Sequence, residues 1–278
     1  MELELTINDW KWKILLTDIR KTERFGSNSY SATGLGLAGY LSDLWTDRKN
    51  RTETSDMTVQ QLANYEVFGT DWSLDWQADN WLVPANTYGY QDKTIIDSIA
   101  NISQSAGAFI LPSRELLTLT VKPKYSIAPW LFNAMTPDLV MAPDSILSRE
   151  YSFRKQQDWN SVWVSGTTDL AVQAFVKITG TAGDRNPNSP FTHSLITSPV
   201  ACRAKGIRLI GDSLSRHEHT FVLPLTTDVP LIEEGILLQV DDDTPWRGLV
   251  VGTSISANLS EREVKVRQTI NIEQYKIG

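Results

Sequence analysis

The sequence predicts a β-rich α+β fold. Three observations carry that reading: short apolar stretches that alternate with polar residues, a concentration of tryptophan in the first half, and only two segments with a sustained helical period. Val172, Ala174, Val176 and Ile178 alternate with more polar neighbours, and so do Val264, Val266, Ile270 and Ile272. A period of two over such lengths places one face of a strand in a core and the other in water, the pattern of antiparallel sheets. Trp10, Trp12, Trp45, Trp72, Trp76, Trp81, Trp130 and Trp159 all fall in the first part of the chain. Large rings supply buried area to small sheets, so this part reads as compact β structure with aromatic cores.

Taken in order, Trp10 and Trp12 stand two apart and would share one face of a strand. Helical turns are expected near Ala38 to Trp45 and Val59 to Tyr65. The first of the two notable helices is set by Ile95, Ile96, Ile99, Ile102 and Ala106, with Asp92 as its N-cap and Gly107 as its left-handed stop. Phe109 to Leu111 and Leu116 to Val121 flank Pro112-Ser113-Arg114-Glu115, a hairpin signal. From Lys122 to Asp144, Pro123, Pro129, Pro137 and Pro143 interrupt every regular pattern. Strands are expected at Tyr151 to Arg154, Val162 to Ser165, Phe221 to Leu225, Ile236 to Val240 and Leu249 to Ile255. The stretch Thr181 to Thr192, with Gly183, Pro187 and Pro190, reads as an exposed loop. In the second notable helix Ser198 caps, Pro199 takes the first position, and Val200, Ala204, Ile207 and Leu214 recur at helical spacing, with Gly206 and Gly211 weakening it or marking close packing. These features divide the chain into a Trp-rich β/α domain over residues 1–125, a Pro-containing linker over 126–145, and a C-terminal β domain with one helix over 146–278.

Composition narrows the function classes. With 41% apolar and 21% charged residues the 278-residue chain has the material for a packed core. Lys plus Arg number 26 against 33 Asp plus Glu, a formal charge of −7, which excludes the broad basic face that wraps nucleic acid. No apolar run approaches the length of a membrane span, and Met-Glu-Leu-Glu-Leu has neither the basic head nor the apolar middle of a secretory signal, so neither a span nor such a signal is expected. The single cysteine, Cys202, closes no internal disulfide, four-cysteine zinc site or iron-sulfur cluster.

Motifs with chemical potential each meet a plainer reading. Gly34-Leu35-Gly36-Leu37-Ala38-Gly39 matches the glycine string of dinucleotide sites, but polar Ser27 to Ser31 precede it where an apolar strand is needed, and the helix that follows is short. A turn requiring positive backbone angles is the expected role. His217 and His219 would point to one side of a strand, and Asp241, Asp242 and Asp243 could add oxygen, yet no further Cys or His completes a metal spacing. Cys202 in the first helical turn reads as a small buried residue. Asp71 and Asp75 beside Trp72 and Trp76 could flank a glycosidic bond, but an acidic, Trp-rich chain offers such pairs freely. No catalytic, cofactor-binding or metal residue is assigned, no cofactor is implied, and an enzyme is not expected.

The order of features resembles the baseplate hub, or central tail-tip, proteins of tailed phages and prophages. The resemblance rests on the Trp-rich N-terminal strand pair followed by Tyr30-Ser31-Ala32-Thr33-Gly34 and Leu41; on Thr94 to Ala100 leading into Gly107-Ala108-Phe109-Ile110; on Leu119 to Tyr125; on Asn160 to Gly166; and on Glu234-Gly235 with Trp246-Arg247-Gly248-Leu249-Val250. It implies tail-tube-like antiparallel β-barrel domains in a structural virion protein located in the virion tail, and in the host cytoplasm during assembly. It further implies a homotrimeric ring that adapts a hexameric tail tube to a trimeric tip. The partners implied are copies of itself, a tail tube or distal tail protein, and a tip or spike protein, with DNA passing through unbound. Two other readings remain at this point: a carbohydrate- or receptor-binding β module using exposed Trp72, Trp76 and Trp81, and a tail-tip cell-wall hydrolase using Asp71 and Asp75.

Overall fold

The computed structural model describes residues 1–167, 172–259 and 264–275. The chain forms two compact units: Met1–Pro123 with Val164–Ala174 and Phe191–Lys205, and Lys124–Trp163 with Phe175–Pro190 and Gly206–Gly278. The architecture is β-rich α+β, as the alternating segments predict.

In the first unit, β1 (Glu2–Ile7), β2 (Trp10–Arg24) and β3 (Ser27–Gly36) form an antiparallel meander. A second sheet orders Ser73–Trp76, Thr118–Pro123 and Ala108–Pro112; its last two strands are the expected hairpin, with Leu119 opposite Pro112 and Val121 opposite Ile110. Helix α1 (Val59–Glu66) begins on a capping box in which Thr58 and Gln61 exchange hydrogen bonds. Helix α2 (Ile95–Ser105) buries Ile95, Ile99 and Ile102 at helical spacing. Its cap is Thr94, not Asp92: Thr94 Oγ1 accepts from the Asp97 N–H, and Asp97 reaches back to the Thr94 N–H. Asp92 lies at φ +53° in the turn before, a conformation that acidic and amide residues tolerate, and it accepts no helical N–H. Gly107 at φ +66° ends α2 as expected.

The second unit is built on a six-stranded sheet in the order Leu139–Met141, Leu237–Val240, Trp246–Leu259, Val264–Tyr275, Arg216–Pro224, Ser148–Arg154. Its pairings are antiparallel except that Leu139–Met141 runs parallel to Leu237–Val240. Phe221, Leu223, Leu238, Val240, Val250, Ile270, Ile272 and Met141 from the strands of this sheet form one buried cluster with Ile232. Tyr125, Phe132, Leu214, Leu237, Leu249 and Tyr275 form a second cluster. Each fully buried aliphatic or aromatic side chain contributes roughly 1.5–3 kcal/mol relative to exposure, so these clusters anchor the sheet. Helix α3 (Pro199–Asp212) starts as expected, with Ser198 Oγ accepting from the Val200 N–H.

The expected closed barrels are not what the described strands make. The large sheet runs in a line between two end strands, and among the described residues no pairing joins Leu139–Met141 to Ser148–Arg154. Alternation identifies half-buried strands but carries no information on which end strands meet, and closure requires exactly that long-range pairing.

Candidate assembly surfaces

Each motif singled out in the sequence has a definite place in the fold. Gly34 lies in β3, where a Cβ would stand 2.5 Å from Ile14 Cγ2 and from the Leu15 carbonyl oxygen. Neither Gly34, Gly36 nor Gly39 has a positive φ, so the expected turn role is corrected: what Gly34 needs is close approach of two strands. Only a five-residue 3-10 turn, Leu37–Leu41, follows.

His219 stacks on Trp246 at 4.3 Å between centroids, and its Nε2 lies 3.1 Å from Gln274 Oε1. Burial lowers its pKa, with Gln274 and Asp242 acting in the opposite direction. Asp242 accepts from Trp246 Nε1 at 2.9 Å and from Arg149 Nη1 at 2.8 Å, and Asp241 accepts from Gln239 Nε2. The run therefore locks the turn between Leu237–Val240 and Trp246–Leu259. Among the described residues no cluster of His, Cys, Asp and Glu could hold a metal ion. Cys202 is fully buried near the Val164 carbonyl, and burial pushes its thiol pKa up, opposite to what a nucleophile needs.

Trp72 and Trp81 are buried, and Trp81 Nε1 donates to the Leu195 carbonyl at 2.8 Å. Trp76 is half-buried and donates to the Asp79 carbonyl. The exposed tryptophan platform that a sugar-binding module would use is thereby corrected: Trp72 and Trp81 supply core area, and the indole N–H groups of Trp76 and Trp81 are engaged within the chain. Asp71 and Asp75 are both exposed, and Asp75 accepts from Gln77 Nε2 at 2.6 Å.

In the second unit charges converge near a cleft of about 370 Å³ that Glu150, Arg154, Arg216, Glu218 and Glu273 help line. Arg216 Nε lies 3.0 Å from Glu273 and 3.2 Å from Glu218, so the two carboxylates that face each other across the strands are bridged by a guanidinium. Behind them Asp212 accepts from Lys124 Nζ and from the Tyr125 hydroxyl, both at 2.8 Å, and pairs with Arg208. Burial pushes the Asp212 pKa up, but Lys124 and Arg208 outweigh it and hold the carboxyl below its ordinary value. A carboxylate with a depressed folded-state pKa adds stability above its unfolded pKa, near 3.9, and loses it as pH falls through the folded value. Acid unfolding followed by tryptophan fluorescence should therefore begin below about pH 4. Lys124→Met should flatten that acid limb; an unchanged limb would refute the assignment.

Long exposed strands are the other prominent surface feature. From Thr17 to Gly36 every residue of the β2–β3 ribbon is exposed, on both faces. Gly26 takes φ +79° at its tip, beside the fully exposed Phe25. An isolated two-stranded ribbon is marginal in water, so a ribbon with neither face covered is material for contact with another chain. The second unit has a comparable extension, where Ile255–Leu259 pairs with Val264–Gln268 and most of the described positions are exposed. Ser148–Arg154 ends the large sheet with all seven residues exposed, Tyr151 and Phe153 included. The ribbon has a sequence signature: from Ser27 to Thr33 neither alternating set of residues is apolar. Sequence reasoning read that stretch only as a polar run, not as a strand.

No known protein family matches the sequence. No curated protein matches it either. Solved structures do. The chain is similar to a tail protein from Neisseria meningitidis MC58, with a TM-score of 0.69 and 17% identity, covering 98% of this chain and 83% of that one. It is similar to the 43 kDa tail protein of prophage MuSo2 from Shewanella oneidensis, with a TM-score of 0.59 and 13% identity, covering 96% and 78%. A chain of a PdpA–VgrG complex matches with a TM-score of 0.50 and 11% identity over 96% of this chain, which spans 50% of that one. The fold of this chain is thus the fold of phage and prophage tail proteins.

Proposed function

We propose that this chain is a non-enzymatic structural component of a tailed phage or prophage, a hub or tail-tip protein whose copies form a ring around the DNA path. The observation that carries the reading is the tail-protein fold over 98% of the chain. The exposed ribbon and open sheet edges support it, because unpaired strand edges are templates for joining chains. In a homotrimer, two compact units per chain would meet a hexameric tube on one side and a trimeric tip on the other. Closure of the tube-like barrels would then be completed between copies. The partners are further copies, a tail tube or distal tail protein, and a tip or spike protein, placing the chain in the virion tail and, during assembly, in the host cytoplasm. A net charge of −7 suits a conduit that must not adhere to phosphates. Among the described residues no helix is long and apolar enough to cross a membrane.

Mass photometry across a concentration series, followed by negative-stain imaging, tests the reading. The expected result is a concentration-dependent trimer with a central opening. A chain that stays monomeric at all concentrations, alone and with its tail-tube protein, would overturn it.

A further inference from the structure

Resting on that ring reading, we infer that the apolar face of the β1–β2–β3 sheet is a subunit interface, packed on the apolar face of the Ile255–Leu259 and Val264–Gln268 hairpin of a second copy. Pairing register sorts the side chains of the sheet. Leu3, Leu5 and Ile7 stand opposite Ile14, Trp12 and Trp10, which puts all six on one face. Leu16, opposite Gly34, continues that face along β2, and past the register shift it reaches Ile19 and Ala32. Lys21 with Tyr30 and Glu23 with Asn28 come next on the same face, so the apolar patch ends part-way along the ribbon. The opposite face carries Glu2, Glu4, Lys11 and Lys13, which pair as Lys11 with Glu4 and Lys13 with Glu2. It is on this charged side that Leu15 is buried, beside Leu35 and the Leu37–Leu41 turn. An antiparallel sheet with one wet face ordinarily turns its polar residues to water. Here no residue of the apolar set is buried: Leu5 is 40% exposed and Ile19 59%, and Arg114 reaches over the Trp12 ring. From Trp10 to Ile19 the face measures roughly 30 Å by 10 Å, on the order of 300 Å², from strand rise and spacing alone. Exposed apolar patches of that size mark interaction sites.

The second unit offers the counterpart. In its hairpin Ile255, Ala257, Val264 and Val266 fall on one face, and Ser256, Asn258, Lys265 and Arg267 on the other. The apolar face prolongs the one on which Ile270 and Ile272 are buried, yet Val264 is 62% exposed and Ala257 is exposed with it. A head-to-tail ring needs two unlike patches per chain that fit each other. These two agree in chemistry, since both are apolar strand faces backed by charged ones. They agree in length, since β1 has six residues and each hairpin strand five, about 17–20 Å. Stacked face to face, as sheets pack about 10 Å apart, they exclude water between them while every charged face stays wet. A foreign partner on the β1–β2–β3 face would leave the hairpin uncovered, whereas a second copy covers both faces in one contact.

The test is self-association of the full chain by sedimentation velocity, comparing wild type with Leu5→Lys, Val264→Lys and Ser31→Lys, the last on the polar face of the ribbon. All three positions are exposed, and far-UV circular dichroism should be unchanged. Leu5→Lys and Val264→Lys each place a charge in the contact and are expected to weaken association by about ten-fold, with Ser31→Lys like wild type. Cross-linking then reads which faces meet. The single cysteine, Cys202, is fully buried, so Leu5→Cys chains mixed with Val264→Cys chains present one accessible thiol each. A flexible bismaleimide should join unlike chains in excess over like ones. A lysine variant at Leu5 or Val264 that associates as tightly as wild type, a Ser31→Lys loss as large as theirs, or no excess of mixed dimers overturns this contact and leaves the ring standing. A wild-type chain that never associates overturns the ring reading, and this contact with it.

Discussion

Glu66→Ala is expected to destabilise the first unit by about 3 kcal/mol, read as a fall in the denaturant midpoint, because it takes one of two carboxylates from a largely buried guanidinium and leaves buried hydroxyls without their acceptor. Glu66 is 6% exposed, and its carboxylate accepts from Arg51 Nη1 at 2.6 Å and from the Tyr90 hydroxyl at 2.7 Å. Arg51 has a second partner in Glu53 at 2.6 Å, and its guanidinium sits 4.1 Å from the centre of the Tyr65 ring. Burial pushes the Tyr90 hydroxyl up to about 12, reinforced by its bond to Glu66, so it remains a proton donor throughout the physiological range. Removing Glu66 therefore costs Arg51 a charge partner in a poorly solvated place and costs two tyrosines their acceptor. Replacing both ends by apolar groups, Arg51→Met with Glu66→Leu, should recover a large part of the loss, since a buried ion pair is often no more stabilising than apolar packing of the same volume. A Glu66→Ala chain as stable as wild type would show that Glu53 alone satisfies Arg51.

Why that pair escaped the sequence, while other features did not, follows from range. Helix α2 was legible because Ile95, Ile99 and Ile102 are separated by one helical turn, and the start of α3 because Ser198 and Pro199 act on N–H groups next to them. The Ala108–Pro112 and Thr118–Pro123 hairpin is likewise a contact between neighbours in sequence. The Thr94 cap was present as Thr-x-x-Asp, a local signal that the acidic Asp92 obscured. Arg51 and Glu66 are fifteen positions apart with a helix between, and Leu139–Met141 pairs with strand Leu237–Val240 from far along the chain. Such partners are chosen by tertiary packing, on which hydrophobic period is silent. The assembly surface has the same character. The lack of an apolar face between Ser27 and Thr33 can be read from the sequence, but that the stretch forms an exposed edge strand depends on where β2 leaves the body of the first unit.

Gly211→Ala separates a helix's local preference from its packing. At an exposed helical position this change gains about 1 kcal/mol, since alanine restricts the unfolded chain and glycine does not. In α3 it should instead destabilise the second unit by about 1–3 kcal/mol, the usual cost of forcing atoms into a filled core. The added Cβ would overlap the Tyr125 ring and stand 2.9 Å from Pro129 Cγ. The ring has little freedom to withdraw: its hydroxyl lies 2.8 Å from Asp212 Oδ1 and 2.8 Å from the Tyr275 hydroxyl, and Phe132 and Tyr275 crowd its faces and edges. Tyr275 in turn donates to Glu273, which pairs with Arg216 and Lys124, so a shift at Tyr125 is felt by a network of charges. Truncating the obstacle supplies the control. With Tyr125→Leu already in place, Gly211→Ala should lose most of its penalty, a coupling of about 1 kcal/mol or more in a double-mutant cycle by chemical denaturation. Strict additivity would mean that the helix moves as a body to accept the methyl group, and that the tyrosine cluster does not fix its position.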